Sequence, residues 1–286
     1  MTSGIVSIKD FVSKTQDLPT MPEAALRVVR LANDEDIPNL TIARALANDQ
    51  GLAARILRLA NSAYYGLPHE VSTLNDAVML LGTRTIRHMA LLASTFPWLA
   101  KELSGYDLAP AMLWRHSFTV AIGAEIIAKQ TRSVSPDEAF TAGLLHDIGK
   151  VVMSMWMKDM LPEMLKKVRE ENIPFNDSEY NSFGFTHADV GGHLASQWNL
   201  PESLVKAVTN HHCPDRVDST SSLTQITHIA DAVALSIGIG IGGDGLHYPF
   251  SSSAMEHLGL SESDLEFVAD KMVDTIAKSK PLFEFN

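Results

Sequence analysis

Residues 135–150 read SPDEAFTAGLLHDIGK and combine a helix start with a charged motif inside an apolar segment. Ser135 stands where a helix N-cap is expected, Pro136 follows at the first helical position, and Glu138 at the third. This is the order of a capping box, in which the serine and glutamate side chains each bind a backbone N–H of the first turn. The sequence therefore predicts a helix that begins at Pro136 and runs into the motif.

His146, Asp147 and Lys150 are the charged part of this motif. Adjacent residues of a helix lie about 100° apart, and residues three or four apart share a face. All three side chains can therefore reach one object beside the helix. An imidazole and a carboxylate can hold a divalent ion, and a nearby ammonium can neutralise phosphate charge. The alternative is that these polar residues only cap or decorate a helix.

Helical spacing of apolar residues recurs along the chain, and the alternation typical of strands is nearly absent. Gly82 follows one such segment and is expected to end its helix, since glycine is favoured just after a helix. The protein is therefore predicted to be all-α. The apolar stripes are Leu52, Ile56, Leu59 and Ala63; Leu74, Ala77, Val78 and Leu81; and Leu265, Val268, Met272 and Ile276.

The composition is that of a chain with enough apolar material for a large core, since 45% of its 286 residues are hydrophobic. The chain starts without a basic segment followed by an apolar run, so no signal peptide is expected. No apolar stretch is long enough to span a membrane, so no membrane partner is expected. Cys213 is the single cysteine, which excludes an internal disulfide framework and favours the reducing cytoplasm.

The net charge of −11 belongs entirely to the second part of the chain. Residues 1–100 contain nine Lys/Arg and nine Asp/Glu, which leaves 14 Lys/Arg and 25 Asp/Glu for residues 101–286. This acidic balance argues against nucleic-acid binding, which needs a basic face. The composition changes around residues 97–110, where proline and glycine recur. We therefore predict an N-terminal helical lobe at residues 1–105 and a second helical lobe at residues 106–286, packed as one unit.

Nine of the eleven histidines follow residue 100. Asp231 lies in the apolar segment THIADAVAL, where a bare carboxylate is costly unless it is paired or bound to a metal. Imidazole and carboxylate ligands together suit Fe, Mn, Ni or Zn better than Ca²⁺ or Mg²⁺. His228 lies three residues before Asp231 and can be either a ligand or a hydrogen-bond partner. The candidate ligands are His116, His146, Asp147, His187, His211, His212 and Asp231.

The order of these residues resembles that of the HD superfamily of metal-dependent phosphohydrolases. Its pattern is a helix histidine, then His-Asp, then a distal aspartate, with further histidines between them in members that hold two metals. The resemblance implies one or two divalent transition metal ions, with Asp147 as the bridge between two. The implied ligands of the first ion are His116, His146 and Asp231, and those of the second are His187, His211 and His212.

The first hundred residues resemble the HDOD family, which consists of bacterial signalling modules related to HD hydrolases. The longest landmark is LRLANSAYYG, residues 57–66. The resemblance covers about residues 16–235, and one departure is Gln50, where proline is common. It implies that an N-terminal helical lobe precedes an HD-type helical bundle. Further landmarks are Leu18-Pro19, Pro22, Asp49 and Leu81-Gly82.

Two functions follow from these resemblances. The first is a metal-dependent phosphohydrolase in bacterial signal transduction, with Asp147 and Lys150 as catalytic residues and a phosphate ester or nucleotide as ligand. The second is a non-catalytic HDOD module that binds a signalling protein and holds a structural or sensory metal. Many HDOD proteins lack the metal ligands and act as regulatory modules, but this chain contains the whole set, which favours the first function.

Cleavage of cyclic di-GMP is not expected. The branch of the superfamily that performs it has a Gly-Tyr-Pro motif after the second histidine cluster. Here CPDRVDST follows His211-His212, and Tyr248-Pro249 comes only after Asp231. The glycine run at residues 238–245 lacks the strand of a nucleotide-binding loop, and it is expected to end a helix and begin a mobile loop.

A basic set precedes the histidine-rich part of the chain. It can grip a phosphate or an acidic partner, but arginines at such spacing more often solvate the outer face of a helix, which is the expectation here. The set consists of Arg55, Arg58, Arg84, Arg87 and His88.

Overall fold

A computed structural model describes residues 7–30, 39–216, 221–243 and 251–283. Within these ranges the chain forms helices and no strand, and a single isolated bridge joins Leu103 and Leu108. The all-α prediction is confirmed. None of the described helices is both long and apolar enough to cross a membrane.

Five helices form the first part of the fold, and the longest of them, α5, packs against α3 and α4 and also contacts the helices that follow. The predicted stripe on α4 is buried at Leu52, Ile56 and Leu59, whereas Ala63 lies beyond the helix end. The bounds are α1 Ile8–Ser13, α2 Glu23–Arg30, α3 Asn39–Ala47, α4 Gln50–Ala60 and α5 Leu74–Leu99.

The remaining helices form a bundle in which α6 packs against α7 and α13, and α11 packs against α8 and α12. Two 3-10 turns, Ser104–Tyr106 and Pro214–Arg216, lie between them. The bounds are α6 Met112–Thr131, α7 Pro136–Leu145, α8 Ile148–Met157, α9 Leu161–Glu171, α10 Phe175–Phe183, α11 His187–Gln197, α12 Glu202–Asn210, α13 Ser222–Ser236, α14 Ser252–Leu258, α15 Glu262–Lys278 and α16 Lys280–Phe283.

The start of α7 corrects part of the prediction for residues 135–150. The helix begins at Pro136 as expected, but the Ser135 side chain makes no capping hydrogen bond. The Glu138 carboxylate instead accepts a hydrogen bond from the Ser203 hydroxyl of α12. The capping-box prediction is therefore wrong, because a tertiary contact takes the glutamate away from the helix end.

Gly82 ends the first helical segment within α5, as expected. Its backbone leaves the helical region (φ 81°, ψ 156°), and a second helical segment begins directly after it and continues to Leu99. The landmark Asn61 ends α4 and exchanges two hydrogen bonds of 2.8 Å with the backbone of Val71. These bonds fix the loop between α4 and α5.

Gly149 allows α8 to lie directly against α11. A Cβ atom built on Gly149 would stand 1.9 Å from the carbonyl oxygen of His187 and 2.7 Å from the backbone nitrogen of Gly191. Any side chain at this position would force the two helices apart. The glycine of the motif therefore brings the His146-Asp147 junction next to the start of α11.

Candidate metal centre

The structure brings the seven predicted ligands together in the interior of the helical bundle. All are buried except His212, which is partly exposed. They come from separate elements: His116 from α6, His146 and Asp147 from the junction of α7 and α8, His187 from the first position of α11, His211 and His212 from the end of α12, and Asp231 from the middle of α13.

Asp147 lies between two groups of histidines, and each of its carboxylate oxygens faces one group. Oδ2 is 3.3 Å from His146 Nε2 and 3.5 Å from His116 Nε2. Oδ1 is 3.2 Å from His187 Nε2 and 3.7 Å from His211 Nε2. A carboxylate in this position can share one oxygen with each of two neighbouring cations.

The first group consists of His116, His146 and Asp231, whose potential ligand atoms all lie within 4.8 Å of one another. Asp231 Oδ1 is 3.1 Å from His116 Nε2 and 3.7 Å from His146 Nε2. Two imidazole nitrogens and one carboxylate oxygen thus face a common point. A borderline transition metal favours such a donor set.

The second group consists of Asp147, His187, His211 and His212, again with all potential ligand atoms within 4.8 Å of one another. His187 Nε2 and His212 Nε2 are 2.9 Å apart. His212 Nδ1 also lies 4.0 Å from Asp231 Oδ2, so the two groups adjoin each other. Three imidazoles and a carboxylate can supply four ligands to one ion.

Backbone carbonyl groups set the orientation of three of these imidazole rings. His146 Nδ1 donates to the carbonyl of Gly143 at 2.7 Å, and His211 Nδ1 donates to that of Val208 at 2.7 Å. His116 Nδ1 donates to the carbonyl of Ile239 at 3.0 Å. Because a carbonyl can only accept, the proton stays on Nδ1 and the Nε2 lone pair points into the centre.

Glu179 orients His187 and was missed by the sequence analysis. This fully buried carboxylate of α10 accepts hydrogen bonds from the His187 backbone N–H at 2.9 Å and from His187 Nδ1 at 2.8 Å. It also accepts one from the Tyr106 hydroxyl at 2.5 Å. The only available signal is an acidic residue eight positions before a histidine, which predicts no contact by itself.

The glycine run after α13 covers His116. The helix ends at Ser236, as expected, but the described residues that follow pack onto the site instead of forming a free loop. Gly240 has φ 76°, and a Cβ built there would stand 2.3 Å from the Cβ of His116. The Gly243 N–H donates to the Tyr106 carbonyl at 2.8 Å. The rest of the run and Tyr248-Pro249 lie outside the described residues.

His228 is a hydrogen-bond partner of the backbone, which decides between its two predicted roles. Its Nδ1 donates to the His211 carbonyl at 2.7 Å, and its Nε2 accepts from the Ser251 N–H at 3.1 Å. Both ring nitrogens are therefore in use. Among the described residues, the two groups also do not include His69, His88, His193, His257 or Cys213.

Part of the basic set forms an internal ion-pair cluster around Asp137 at the start of α7. Arg84 Nε lies 2.5 Å from Asp137 Oδ1, and Arg87 donates to Oδ2. His88 Nε2 is 3.4 Å from Oδ1, and its ring stacks on Phe140. These three side chains tie α5 to α7. The expectation that they solvate an outer face is wrong for this part of the set.

Burial and nearby charges determine the protonation of the centre. Burial alone raises the pKa of Asp147, but its interactions with His146, His187 and the Lys150 ammonium outweigh burial and hold that pKa well below its usual value. Burial lowers the pKa of His211 to about 3 and also lowers the pKa of His212. The carboxylate is therefore anionic, and His211 and His212 are neutral, as metal ligands must be.

Burial lowers the pKa of His187 and His116 as well, but Glu179 and Asp147 outweigh it and raise the pKa of His187 to about 9, and Asp231 raises that of His116. An ion bound here would therefore displace a proton from His187.

Lys150 lies inside the centre. Its ammonium is 2.8 Å from Asp147 Oδ2 and 5.6 Å from the centroid of the Tyr106 ring. His212 stands at the opposite, less buried side, where it lines a pocket with Asp177 and Asp189. The described lining of that pocket contains neither lysine nor arginine. The cationic group of the site is thus inside, and the pocket beside His212 carries two carboxylates.

Comparisons with known proteins identify the family. The family model of the HDOD domain matches residues 18–214. The crystal structure of an HDOD domain protein of unknown function from Geobacter sulfurreducens is 28% identical, with coverage of 96% of each chain and a TM-score of 0.76. A protein from Shewanella amazonensis, described as a candidate phosphohydrolase, is 27% identical over 98% of this chain and 100% of its own, with a TM-score of 0.69.

A curated relative is a protein of Treponema pallidum (strain Nichols), which is 26% identical over 200 residues. This match covers 70% of the present chain but only 38% of the relative, so the chain spans well under half of the length of that protein. The HDOD family match, in contrast, covers more than half of the present chain. On this ground the chain belongs to the HDOD family.

Proposed function

We propose that the protein is a metal-dependent phosphohydrolase of HDOD type that acts in bacterial signal transduction and holds one or two divalent transition metal ions. The observation that carries this proposal is the position of Asp147, whose two oxygens face two separate groups of histidines. If Asp147 only formed a structural ion pair, histidines beside one of its two oxygens would be enough. Two groups around one carboxylate are the arrangement that a bridged pair of cations requires.

The buried polar atoms of the centre fit a metal. His146 Nε2 and His211 Nε2 are buried and make no hydrogen bond. Buried polar atoms are rarely left in this state, because each has lost its hydrogen bonds to water without replacement. A cation at the centre would coordinate these nitrogens. The imidazole and carboxylate donors favour Fe, Mn, Ni or Zn over Mg²⁺ or Ca²⁺.

The residues of the centre have distinct roles in this proposal. A divalent ion supplies Lewis acidity and lowers the pKa of a water molecule toward neutrality. Asp147 holds the two halves of the site together, and Lys150 keeps its charge close to Asp147 Oδ2, from where it can stabilise phosphoryl oxygens. The proposed metal ligands are His116, His146 and Asp231 for one ion, and His187, His211 and His212 for the other, with Asp147 shared.

Elemental analysis of the purified protein tests the metal site. We expect bound Fe, Mn, Ni or Zn in the wild-type protein and a clear loss of metal in His187→Gln, because the second group loses one of its imidazoles. His193→Gln is the matched control, since His193 lies on the same helix α11 but outside both groups. Wild-type protein without metal, even after reconstitution with these ions, would falsify the proposed centre.

Hydrolysis assays test the chemistry separately. We expect the metal-loaded protein to hydrolyse at least one member of a panel of phosphodiesters, phosphomonoesters and nucleotides, assayed under both reducing and oxidising conditions for iron. Asp147→Asn should abolish this activity, whereas His193→Gln should retain it. Turnover that persists in Asp147→Asn would show that a contaminant or another site is responsible.

The burial of the centre supports a second function, that of a non-catalytic signalling module with a structural or sensory metal. Even the least buried ligand, His212, exposes only 6% of its side chain, and the pocket beside it carries Asp177 and Asp189 without a cation. Carboxylates beside the least buried ligand disfavour an anionic substrate. Full metal occupancy with no turnover of any substrate supports this function and excludes the enzyme.

A further inference from the structure

A second pocket lies between α4, α5 and α6, outside the metal centre. Its cavity volume is about 120 Å³, several times the space of about 10 to 15 Å³ that one water molecule needs. The walls are apolar and aromatic, and two arginines are the only charged residues in its described lining. The lining consists of Arg55, Arg58, Leu59, Leu92, Ala93, Phe96 and Trp114.

The two arginines bring uncompensated positive charge to this pocket. Arg55 and Arg58 are three residues apart on α4 and therefore share one face of the helix. Arg55 Nε is buried and makes no hydrogen bond. No carboxylate pairs with either guanidinium in the part of the chain that the structure describes. Arg84 and Arg87 differ in this respect, because both pair with Asp137 and Arg84 also lies 3.5 Å from Glu125.

The opposite wall is built from aromatic rings of two helices. Phe96 and Trp114 meet edge to face, with their ring centroids 5.3 Å apart. Trp114 in turn stacks on Phe118. These contacts hold the rings in place, so the wall is preorganised to receive an apolar group. Leu59 and Leu92 complete the apolar surface.

We infer that this pocket binds a small amphipathic anion. Its apolar body lies against Phe96, Trp114 and the two leucines, and its single carboxylate or phosphate group pairs with Arg55 and Arg58. A guanidinium matches the oxygens of either anion with two parallel hydrogen bonds. Arg55 is half-buried at the pocket, whereas Arg58 is exposed and can receive the anion from solvent. The anion supplies the partner that the buried Arg55 Nε lacks.

The pocket shares α6 with the metal centre. Trp114 precedes His116 by two residues, and positions two apart point to nearly opposite sides of a helix. The ligand therefore contacts one side of α6 while His116 faces the metal centre on the other. The indole of Trp114 also gives a direct readout, because a bound ligand changes its surroundings.

Binding of octanoate and octyl phosphate tests this inference, with octanol as the uncharged analogue. We expect calorimetry to detect binding of at least one of the two anions, accompanied by a change in tryptophan fluorescence. Octanol should bind at least about tenfold more weakly, since it lacks the charge that the arginines recognise. The two anions also distinguish a carboxylate site from a phosphate site.

The double variant Arg55→Gln/Arg58→Gln should bind the anion at least about tenfold more weakly than the wild-type protein. Glutamine preserves the helix, and unchanged thermal unfolding without ligand checks the fold. Arg27→Gln is the control, because Arg27 is an exposed arginine of α2 outside this pocket. Equal binding by the double variant, or no binding of either anion at about 1 mM, overturns the inference, as does binding of an acidic peptide alone.

Discussion

Glu179 is the residue on which the orientation of His187 depends. Its carboxylate holds both the backbone N–H and Nδ1 of His187, and it carries the charge that keeps the proton on Nδ1. Glutamine at this position removes the charge and one of the acceptor oxygens. We expect Glu179→Gln to lower metal affinity by about tenfold to a hundredfold, as is typical for groups that orient a metal ligand. Competition with a chelator of known affinity measures the change.

Glu170→Gln is the matched control for this variant. Glu170 is an exposed glutamate of α9 whose ion pair with Lys166 spans 3.7 Å on the surface. Its replacement should leave metal affinity unchanged. If both variants bind metal like the wild-type protein, Glu179 is only a packing residue of the interior.

Glu179 also illustrates why the sequence predicted only part of the centre. The seven candidate ligands were identified by residue type and order, and the structure places all of them in two adjoining groups, although their role as ligands stays a prediction. Glu179 lies on a different helix from His187, so their contact depends on how α10 meets α11. Helical periodicity in the sequence does not predict how α10 and α11 pack against each other.

The sequence also does not predict which polar side chains contact each other where two helices pack together. The apolar stripes predicted the helices and their buried faces, because burial of one face is the main determinant of an amphipathic helix. The partners of Arg84 and Arg87 could not be predicted, since Asp137 is 50 residues away from Arg87. The hydrogen bond from Ser203 to Glu138, which replaces the expected capping bond, is likewise a tertiary contact. Both errors concern polar side chains at the junction of α7 with its neighbours.

The ion pairs between α5 and α7 should contribute measurably to stability. The Asp137 side chain is only 7% exposed, and Asp137→Asn leaves the Arg87 charge without its counterion and the Arg84 charge with Glu125 alone, 3.5 Å away. We expect a loss of about 3 kcal/mol in the free energy of unfolding at pH 7, measured with urea. Asp270→Asn, at an exposed aspartate of α15, should change it little.

The contribution of Asp137 should depend on pH. Burial alone raises the pKa of Asp137, but contact with His88 and the charges of Arg87 and Arg84 outweigh burial and lower it. The free energy that the Asp137 ion pairs contribute to folding is therefore fully present above the pKa of about 3.9 that Asp137 has in the unfolded chain. This contribution is lost as pH falls through the lower pKa of Asp137 in the folded protein. The difference between wild type and Asp137→Asn should shrink below about pH 4. A constant difference throughout would exclude this ion pair as its source.

At the scale of the whole molecule, the proposed metal joins helices that are far apart in sequence. The candidate ligands come from α6, the α7–α8 junction, α11, α12 and α13, so an ion at the centre stabilises only the folded chain. At a free metal concentration about a hundredfold above Kd, this linkage is worth about 2.7 kcal/mol. For a chain of this size we expect removal by a chelator to lower Tm by about 4 to 5 °C, reversed by adding the metal back.

The shape of that unfolding transition tests the proposed lobes at residues 1–105 and 106–286. Helix α5 contacts α3 and α4 on one side and α6 and α7 on the other, and its ion pairs reach the start of α7. Two lobes packed as one unit should unfold in a single calorimetric transition that shifts as a whole when the metal is removed. Two transitions, of which only one shifts when the metal is removed, would mean that the first lobe folds independently. Its contacts with α6 and α7 would then be too weak to couple its unfolding to the metal centre.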